Sequence, residues 1–271
     1  MPELPEVETT RRGLARHVRQ RRIAALEVYE PRLRWPITSD LPKLLAGQRI
    51  ERVGRRAKYL LLGLESGTLL LHLGMSGNLR AVPADTPRLR HDHFDLRLDS
   101  GLALRFNDPR RFGSLLYTRG EPGEHRLLAE LGPEPFAAAF NADYLFRITR
   151  GRRVAIKQLL MNSRLVVGVG NIYASEALFR ARIRPGRQAR SLSRADAARL
   201  VRAVRLVLRQ AIRARGTTLR DYLGTDGAPG YFRQRLHVYE RRGKPCRRCG
   251  TPVRGTTHGQ RSTYYCPSCQ K

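Results

Sequence analysis

The sequence predicts an α+β fold, with an N-terminal β-sandwich domain, a mostly helical second domain and a small C-terminal module built around four cysteines. Short apolar or alternating runs dominate up to about residue 118, and apolar residues recur at helical spacing from about 142 to 223. All cysteines lie between Cys246 and Cys269. With 271 residues and an apolar fraction of 41%, the chain can bury a core in each of two domains.

The first domain is predicted to begin with a helix over residues 2–12, after the Pro5 break, and to continue as strands separated by Gly, Asp and Ser. Residues 53–64 are predicted as one such strand, and further strand segments are expected at 68–73, 93–98 and 103–106. Turn residues at 131–135 close this domain. The predicted boundaries are 2–134 for the β-sandwich, 135–150 for a linker, 151–240 for the helical domain and 241–271 for the cysteine module.

A long helix is predicted over residues 195–215, where apolar side chains recur three or four positions apart with arginines between them. We expect this helix to be core scaffold. A glycine-bearing turn at 165–173 precedes the start of another helix. Gly168 and Gly170 allow close approach of the backbone to a ligand, and Asn171 can donate from its side chain, so this turn could hold a phosphate. The alternative is a turn that merely connects two helices.

Charge indicates the class of partner. The chain carries 52 basic and 23 acidic residues, a formal charge of +29 and a pI near 11.4, which favours a polyanion such as nucleic acid. Alternatively, part of the charge is compositional, since basic residues are spread over the whole chain. Arginine is the usual cation, so the few lysines, among them Lys58 and Lys157, are candidates for an ammonium group that can lose its proton.

Neither a membrane span nor a secretory leader is predicted. No run reaches the roughly 18 apolar residues that a membrane helix needs, and the polar amino terminus lacks the apolar core of a signal peptide. We therefore expect a cytosolic protein.

The C-terminal cysteines have zinc-ligand spacing. Cys246-x2-Cys249 and Cys266-x2-Cys269 predict a four-thiolate site for one structural Zn²⁺, with no open position for catalysis. The alternative is two disulfides, which a reducing cytosol and the tight CxxC spacing disfavour. Residues 244–271 contain basic side chains and no acidic residue, so this module is expected to bind backbone phosphate.

The amino terminus carries a candidate nucleophile. An initiator methionine before proline is normally removed, which would leave Pro2 as a secondary amine with a reference pKa near ~8 and an appreciable unprotonated fraction. Such an amine can form an iminium with a sugar C1′. Glu3 and Glu6 follow closely and could shuttle protons. The alternative is a Pro-rich extended start with solvated acids.

An exposed aromatic residue is expected in the turn at 108–113, beside two arginines. An enzyme that acts on a base takes it out of the stack, and apolar or planar side chains can fill the gap that is left. Phe112 suits that task. The alternative is that Phe112 is tucked under its own turn.

Together these motifs resemble the bacterial formamidopyrimidine-DNA glycosylases, which remove 8-oxoguanine and ring-opened purines from DNA. The resemblance spans nearly the whole chain and implies a helix-two-turn-helix element in the second domain and a zinc finger at the end. It also implies catalytic roles for Pro2, Glu3, Lys58 and Arg261, with Glu6 in a supporting role. The resemblance further implies contacts with DNA by eight residues: His72, Met75, His91, Arg110, Phe112, Lys157, Asn171 and Tyr239. Within this set, Met75, Arg110 and Phe112 correspond to void-filling side chains.

The resemblance implies a bifunctional glycosylase and AP lyase that acts on damaged double-stranded DNA through a Pro2 Schiff base and β,δ-elimination. A lesion-capping loop is expected at 216–222, with its exit at 227–232. We expect a monomer associated with the bacterial nucleoid, one structural zinc, no membrane and no nucleotide cofactor. Two alternatives stay open: an endonuclease VIII-type glycosylase for oxidised pyrimidines, and a non-catalytic zinc-bearing DNA-binding protein.

Overall fold

The computed structural model describes residues 2–217 and 232–271, which fall into two compact units. The first unit contains Met1–Ala129 and Ala214–Arg233, and the second contains Glu130–Arg213 and Gln234–Lys271. Each unit is thus assembled from two separate stretches of chain. The predicted α+β class is confirmed, since the first unit is built mainly from strands and the second mainly from helices.

Helix α1, Leu4–Val18, opens the first unit. Pro5 lies in its first turn, where a missing N–H costs no helical hydrogen bond. The helix runs further than the predicted 2–12 because its apolar positions, including Leu14 and Val18, continue to face the core and are fully buried. Tertiary burial stabilises this last turn where local sequence gives only a weak signal.

Two four-stranded antiparallel sheets follow. One has the strand order β1-β6-β7-β5 and the other β2-β3-β4-β8. In chain order the strands are β1 Ile23–Val28, β2 Ile50–Arg56, β3 Tyr59–Leu64, β4 Gly67–His72, β5 Asn78–Pro83, β6 Asp92–Leu98, β7 Leu102–Asn107 and β8 Ser114–Thr118. A five-residue helix α2, Leu41–Leu45, packs near β1.

Side chains from both sheets and from α1 form one apolar core. Leu60, Leu62 and Leu64 alternate with less buried neighbours along β3, which is the pattern of a strand with one buried face. A buried ion pair also lies within this unit, where the Nε and Nη2 atoms of Arg105 donate to Asp95 at 2.9 and 2.7 Å. The predicted β-sandwich is therefore present.

The strand predicted over 53–64 is in fact a hairpin. Strands β2 and β3 pair antiparallel, with Arg56 opposite Tyr59, and Ala57 and Lys58 form the turn. Ala57 adopts a φ of 52°, in the left-handed region that usually favours glycine. The prediction was wrong here because neither glycine nor proline stands at Ala57 and Lys58, so no residue type marks the break between the two strands.

The second unit contains four α-helices and a two-stranded hairpin within the described residues. The helices are α3 Ala142–Thr149, α4 Ile156–Met161, α5 Asn171–Ala181 and α6 Arg194–Arg213, and the hairpin pairs β9 Arg254–His258 with β10 Arg261–Tyr265. Helix α6 corresponds to the helix predicted over 195–215 and buries its apolar stripe. Helix α3 falls inside the stretch predicted as a linker. Among the described residues, no helix is long and apolar enough to cross a membrane.

Candidate active site and nucleic-acid contacts

The predicted nucleophile, Pro2, and the predicted proton shuttle, Glu3, lie next to each other at the start of α1. Pro2 is buried directly ahead of the helix, and Glu3 is the N-cap residue with only 1% of its surface exposed. The backbone N–H of Glu3 donates to Glu6 Oε2 at 2.8 Å. This bond across the first turn fixes the direction in which residues 2 and 3 leave the helix.

Glu6 also binds a distant part of the chain. Its Oε1 accepts a hydrogen bond of 2.7 Å from the backbone N–H of Thr217, and a side chain at Gly216 would approach the same oxygen to 2.9 Å. Phe232 N–H donates to Gly216 O at 3.0 Å. The loop predicted to cap the lesion lies otherwise outside the described residues, but its two described flanks are thus bonded beside α1.

Lys58 and His72 lie at the same end of one sheet, beside Tyr59, the first residue of β3. Lys58 is in the β2–β3 turn, and His72 ends β4 opposite Tyr59, with ring centroids 4.7 Å apart. Burial, followed by the nearby charges of Lys58 and Arg34, lowers the pKa of His72 to about 4, so the ring is neutral at pH 7. Because His72 Nδ1 accepts from Gly74 N–H at 3.0 Å, the ring proton sits on Nε2 and can donate.

The predicted void-filling residues lie on two loops of the first unit. Met75 follows β4, and Arg110 and Phe112 lie between β7 and β8. The Phe112 side chain is 47% exposed, so it is not tucked under its own turn. His91, which has a φ of 72°, lies just before β6 and accepts a backbone hydrogen bond from Asp108. Arg110 is also exposed and Met75 is partly buried, and planar or apolar side chains on adjacent loops suit insertion between bases.

In the second unit, Asn171 is the first residue of α5. Gly170 is the N-cap and Gly168 has a φ of 76°, a backbone conformation that glycine adopts without strain. The Asn171 Oδ1 atom is shielded from solvent and has no hydrogen-bond partner among the described residues. The first turn of an α-helix favours an anion through its N–H groups and its dipole, so this end of α5 is suited to a phosphate.

Lys157 is buried, whereas its predicted contact with DNA requires an exposed side chain. The side chain is 1% exposed, and its Nζ donates to Ser262 O at 2.9 Å and to Thr263 Oγ1 at 2.8 Å. The amine thus bonds α4 to strand β10 immediately after the exposed Arg261. A buried ammonium with these partners supports the hairpin, and its burial does not support a contact with DNA phosphate.

The four cysteine sulfurs lie within 4.8 Å of one another. The Sγ of Cys249 is 3.5 Å from that of Cys266 and 3.4 Å from that of Cys269, and all four cysteines are free of disulfides. These separations suit one Zn²⁺ bound by four thiolates in a tetrahedron with Zn–S distances of about 2.3 Å. The predicted single structural zinc site is therefore confirmed.

Known proteins match this chain along its whole length. Family models match at 1–115 (formamidopyrimidine-DNA glycosylase N-terminal domain), 131–222 (formamidopyrimidine-DNA glycosylase H2TH domain) and 243–271 (zinc finger found in FPG and IleRS). The formamidopyrimidine-DNA glycosylase of Thioalkalivibrio sulfidiphilus is 62% identical over 271 residues, which is 100% of both chains. The chain belongs to the formamidopyrimidine-DNA glycosylase family.

Solved structures of this family are also similar. The MutM (Fpg) protein of Thermus thermophilus aligns with a TM-score of 0.88 at 43% identity, over 99% of this chain and 98% of that one. Lactococcus lactis Fpg, solved in complex with a Fapy-dG-containing DNA, aligns with a TM-score of 0.91 at 31% identity, over 99% and 100% of the two chains. The predicted family is therefore confirmed.

Sequence reasoning missed one buried carboxylate in this member of the formamidopyrimidine-DNA glycosylase family. Glu176 on α5 is 2% exposed and accepts hydrogen bonds of 2.9–3.0 Å from the backbone N–H groups of His237, Val238 and Tyr239. It therefore orients the segment that carries the predicted DNA contact Tyr239, whose ring packs edge-on against Tyr264 at 5.2 Å. The available signal was an acidic residue within an otherwise apolar stretch of helix.

Replacing Lys157 is expected to destabilise the second unit. In Lys157→Met, the carbonyl of Ser262 and the hydroxyl of Thr263 lose a buried charged donor, which should cost about 1–3 kcal/mol in the free energy of unfolding. Urea denaturation would measure it. The matched control is Lys43→Met on the exposed side of α2, which should change stability by less than about 0.5 kcal/mol. Equal, small effects of the two substitutions would show that the buried bonds contribute nothing.

Removing one thiolate is expected to disrupt the zinc finger. In Cys249→Ser, zinc content should fall and affinity for a duplex should drop at least about tenfold, or ~1.4 kcal/mol, because the hairpin carrying Arg261 loses its anchor. Zinc is measured by atomic absorption and affinity by fluorescence anisotropy. Ser268→Ala, within the second CxxC, leaves all thiolates in place and is expected to retain both properties. Unaltered DNA binding by a zinc-free Cys249→Ser protein would contradict the prediction.

Proposed function

We propose that this protein is a bifunctional DNA glycosylase and AP lyase of base-excision repair, which removes oxidised purines such as 8-oxoguanine and formamidopyrimidines from duplex DNA. The observation that carries the proposal is the placement of Pro2, which directly precedes an α-helix whose first turn is held by the Glu6–Glu3 hydrogen bond. Membership of the formamidopyrimidine-DNA glycosylase family supports it.

The Pro2 nitrogen attacks C1′ of the damaged nucleotide, and the N-glycosidic bond breaks with its electron pair leaving on the base. Ring opening of the sugar gives an iminium between Pro2 and C1′. Glu3, which follows Pro2 and is almost fully buried, supplies and removes protons at the sugar.

The iminium then acidifies the C2′ hydrogen. Loss of that proton expels the 3′ phosphate in a β-elimination, and a second elimination expels the 5′ phosphate, which leaves a one-nucleotide gap with phosphate at both ends. Lys58 would contact a phosphate near the reacting sugar, and Arg261 would stabilise departing phosphate charge. Hydrolysis of the remaining Pro2 adduct restores the amine. The zinc has only a structural role, because its four ligands are thiolates of the protein.

DNA binding in this proposal uses both units. The void left by the everted nucleotide is filled by Met75, Arg110 and Phe112, with Arg110 facing the orphaned cytosine. His72 and His91 contact the backbone in the first unit, and Asn171 and Tyr239 do so in the second. The protein acts as a monomer on one duplex site, in the bacterial cytoplasm near the nucleoid.

Borohydride trapping tests the function directly. The purified protein is incubated with an 8-oxoguanine·cytosine duplex and borohydride, and the cross-linked peptide is identified by mass spectrometry. The expected adduct is at Pro2. An adduct formed only with an oxidised-pyrimidine duplex would indicate the endonuclease VIII-type activity. The absence of an adduct with either duplex, from protein whose amino terminus is Pro2, would indicate a non-catalytic DNA-binding protein.

A further inference from the structure

The three side chains proposed to fill the void lie on loops outside the helices and strands. Met75 is in the loop at 73–77, and Arg110 and Phe112 are in the loop at 108–113. Insertion into a base stack requires these side chains to be held in a fixed mutual arrangement, since a displacement of about 1 Å at a reacting or inserting group can cost ~10²-fold in rate. Because these loops are not held by a helix or a sheet, side-chain hydrogen bonds or close backbone packing must keep them rigid.

One carboxylate bonds to both loops. Asp108 is fully buried, and its Oδ1 accepts from the Ser76 hydroxyl at 2.6 Å and from Arg110 N–H at 3.3 Å. Its Oδ2 accepts from Gly113 N–H at 2.8 Å. Ser76 adjoins Met75 and Gly113 adjoins Phe112, so each void-filling residue either bonds to this carboxylate or neighbours a residue that does.

Asp108 is itself fixed by its backbone. Its N–H donates to His91 O at 3.0 Å, and its carbonyl lies 2.9 Å from His93 Nε2. His93 is 1% exposed, within the core-facing part of β6. The Asp108 backbone is therefore bonded to His93 of β6, and the Asp108 carboxylate bonds to both loops.

The two loops pack closely against each other through their backbones. A Cβ added at Gly74 would lie 2.5 Å from Gly113 N and from Phe112 C, so no larger residue fits there. A Cβ at Gly113 would lie 2.5 Å from the ring of Phe106. Because the backbones leave no room for a Cβ at either glycine, a shift of one loop is expected to displace the other.

We propose that Asp108 is the positioning residue for the void-filling side chains: it sets the mutual placement of Met75, Arg110 and Phe112 and so controls eversion of the damaged nucleotide without touching DNA. This inference rests on the proposed function. It makes the buried carboxylate a determinant of how fast a base leaves the duplex and of how well cytosine is recognised opposite it. It leaves the Pro2 chemistry at an accessible abasic site unaffected.

The test compares one variant on two substrates. Asp108→Ala is assayed for excision on an 8-oxoguanine·cytosine duplex, which requires void filling, and for borohydride trapping on a single-stranded oligonucleotide with a preformed abasic site, which does not. We expect duplex excision to fall by about tenfold to a hundredfold. Trapping on the single strand should stay within about twofold of wild type, and preference for cytosine over adenine opposite the lesion should decline.

Further variants separate positioning from general destabilisation. Asp108→Asn keeps an acceptor for Gly113 N–H and a partner for the Ser76 hydroxyl, so it should restore most of the duplex excision. Ser76→Ala removes only the hydroxyl donor and should lower duplex excision alone, which keeps the proposal testable if Asp108→Ala does not fold. Asp95→Asn weakens a buried ion pair of the same sheet and should not change the ratio of the two activities.

Each result decides the proposal. A selective loss on the duplex supports it, whereas equal losses on both substrates, or unchanged duplex excision in both Asp108→Ala and Ser76→Ala, would overturn it. A wild-type protein that neither excises 8-oxoguanine from the duplex nor traps the abasic single strand would instead overturn the proposed function, and this inference with it. The two failures are therefore distinguishable from the wild-type measurement alone.

Discussion

Blocking the Pro2 amine is expected to abolish both base excision and borohydride trapping, with a loss of at least ~10³-fold. Inserting a leucine between Met1 and Pro2 achieves this, because methionine is retained before a bulky residue and the proline nitrogen becomes part of an amide. An amide nitrogen has no available lone pair, so it cannot attack C1′ or form an iminium. Gel-resolved trapping on an 8-oxoguanine duplex measures the effect.

The matched control for this blocked chain is Pro2→Gly, which keeps a terminal amine in primary form. It should still trap, at a reduced rate, since a primary amine also forms an imine with a sugar aldehyde. The blocked protein should retain affinity for a duplex that contains an uncleavable abasic analogue, measured by anisotropy. Trapping by the blocked chain at the wild-type rate would remove Pro2 from the nucleophilic role and point to a lysine.

Glu3→Gln should lose base excision while keeping DNA affinity. The substitution preserves shape at the N-cap but removes the proton shuttle, and loss of a general acid or base typically costs about 10²–10⁴-fold. Single-turnover excision on an 8-oxoguanine duplex measures the rate, and anisotropy on the uncleavable duplex measures binding. Elimination at a preformed abasic site should be less affected, because no base has to leave.

Glu51→Gln is the control for Glu3→Gln, since Glu51 is an exposed acid on β2 of the same unit. Its excision rate should equal that of the wild type. If Glu3→Gln also excises at the wild-type rate, Glu3 has no acid role. A parallel loss of DNA affinity and excision in Glu3→Gln would instead indicate that the substitution disrupts the start of α1.

Features encoded by a few adjacent residues were predictable from sequence. The paired CxxC motifs specify a zinc site because spacing alone brings two thiolates of each pair into reach of one ion. Helix α6 follows from its apolar stripe, since helical periodicity is a local property. The hairpin turn at Ala57 and Lys58 was not predictable, because its residues carry no turn signal and only pairing of the flanking strands bends the chain there.

Roles that depend on distant partners needed the tertiary structure. Lys157 was predicted to contact DNA, yet it bonds to residues more than 100 positions away in β10, and no local pattern reveals such a partner. Glu176 and Glu6 are similar, since each accepts backbone N–H groups from segments far along the chain. Buried carboxylates and ammonium groups are tolerated only where hydrogen bonds replace water, and those bonds exist only after folding.

The sequence by itself determined which reactive groups this protein contains: a proline at position 2, an acid beside it, four cysteines at zinc-ligand spacing and an excess of basic residues that favours a polyanion. Residue type and short spacing define these features before the chain folds. Only the tertiary structure decided which polar side chains are exposed and can contact DNA, and which are buried and stabilise the fold. Asp108 shows the reason, because a carboxylate in an exposed-looking turn becomes buried and satisfied only when two loops close over it.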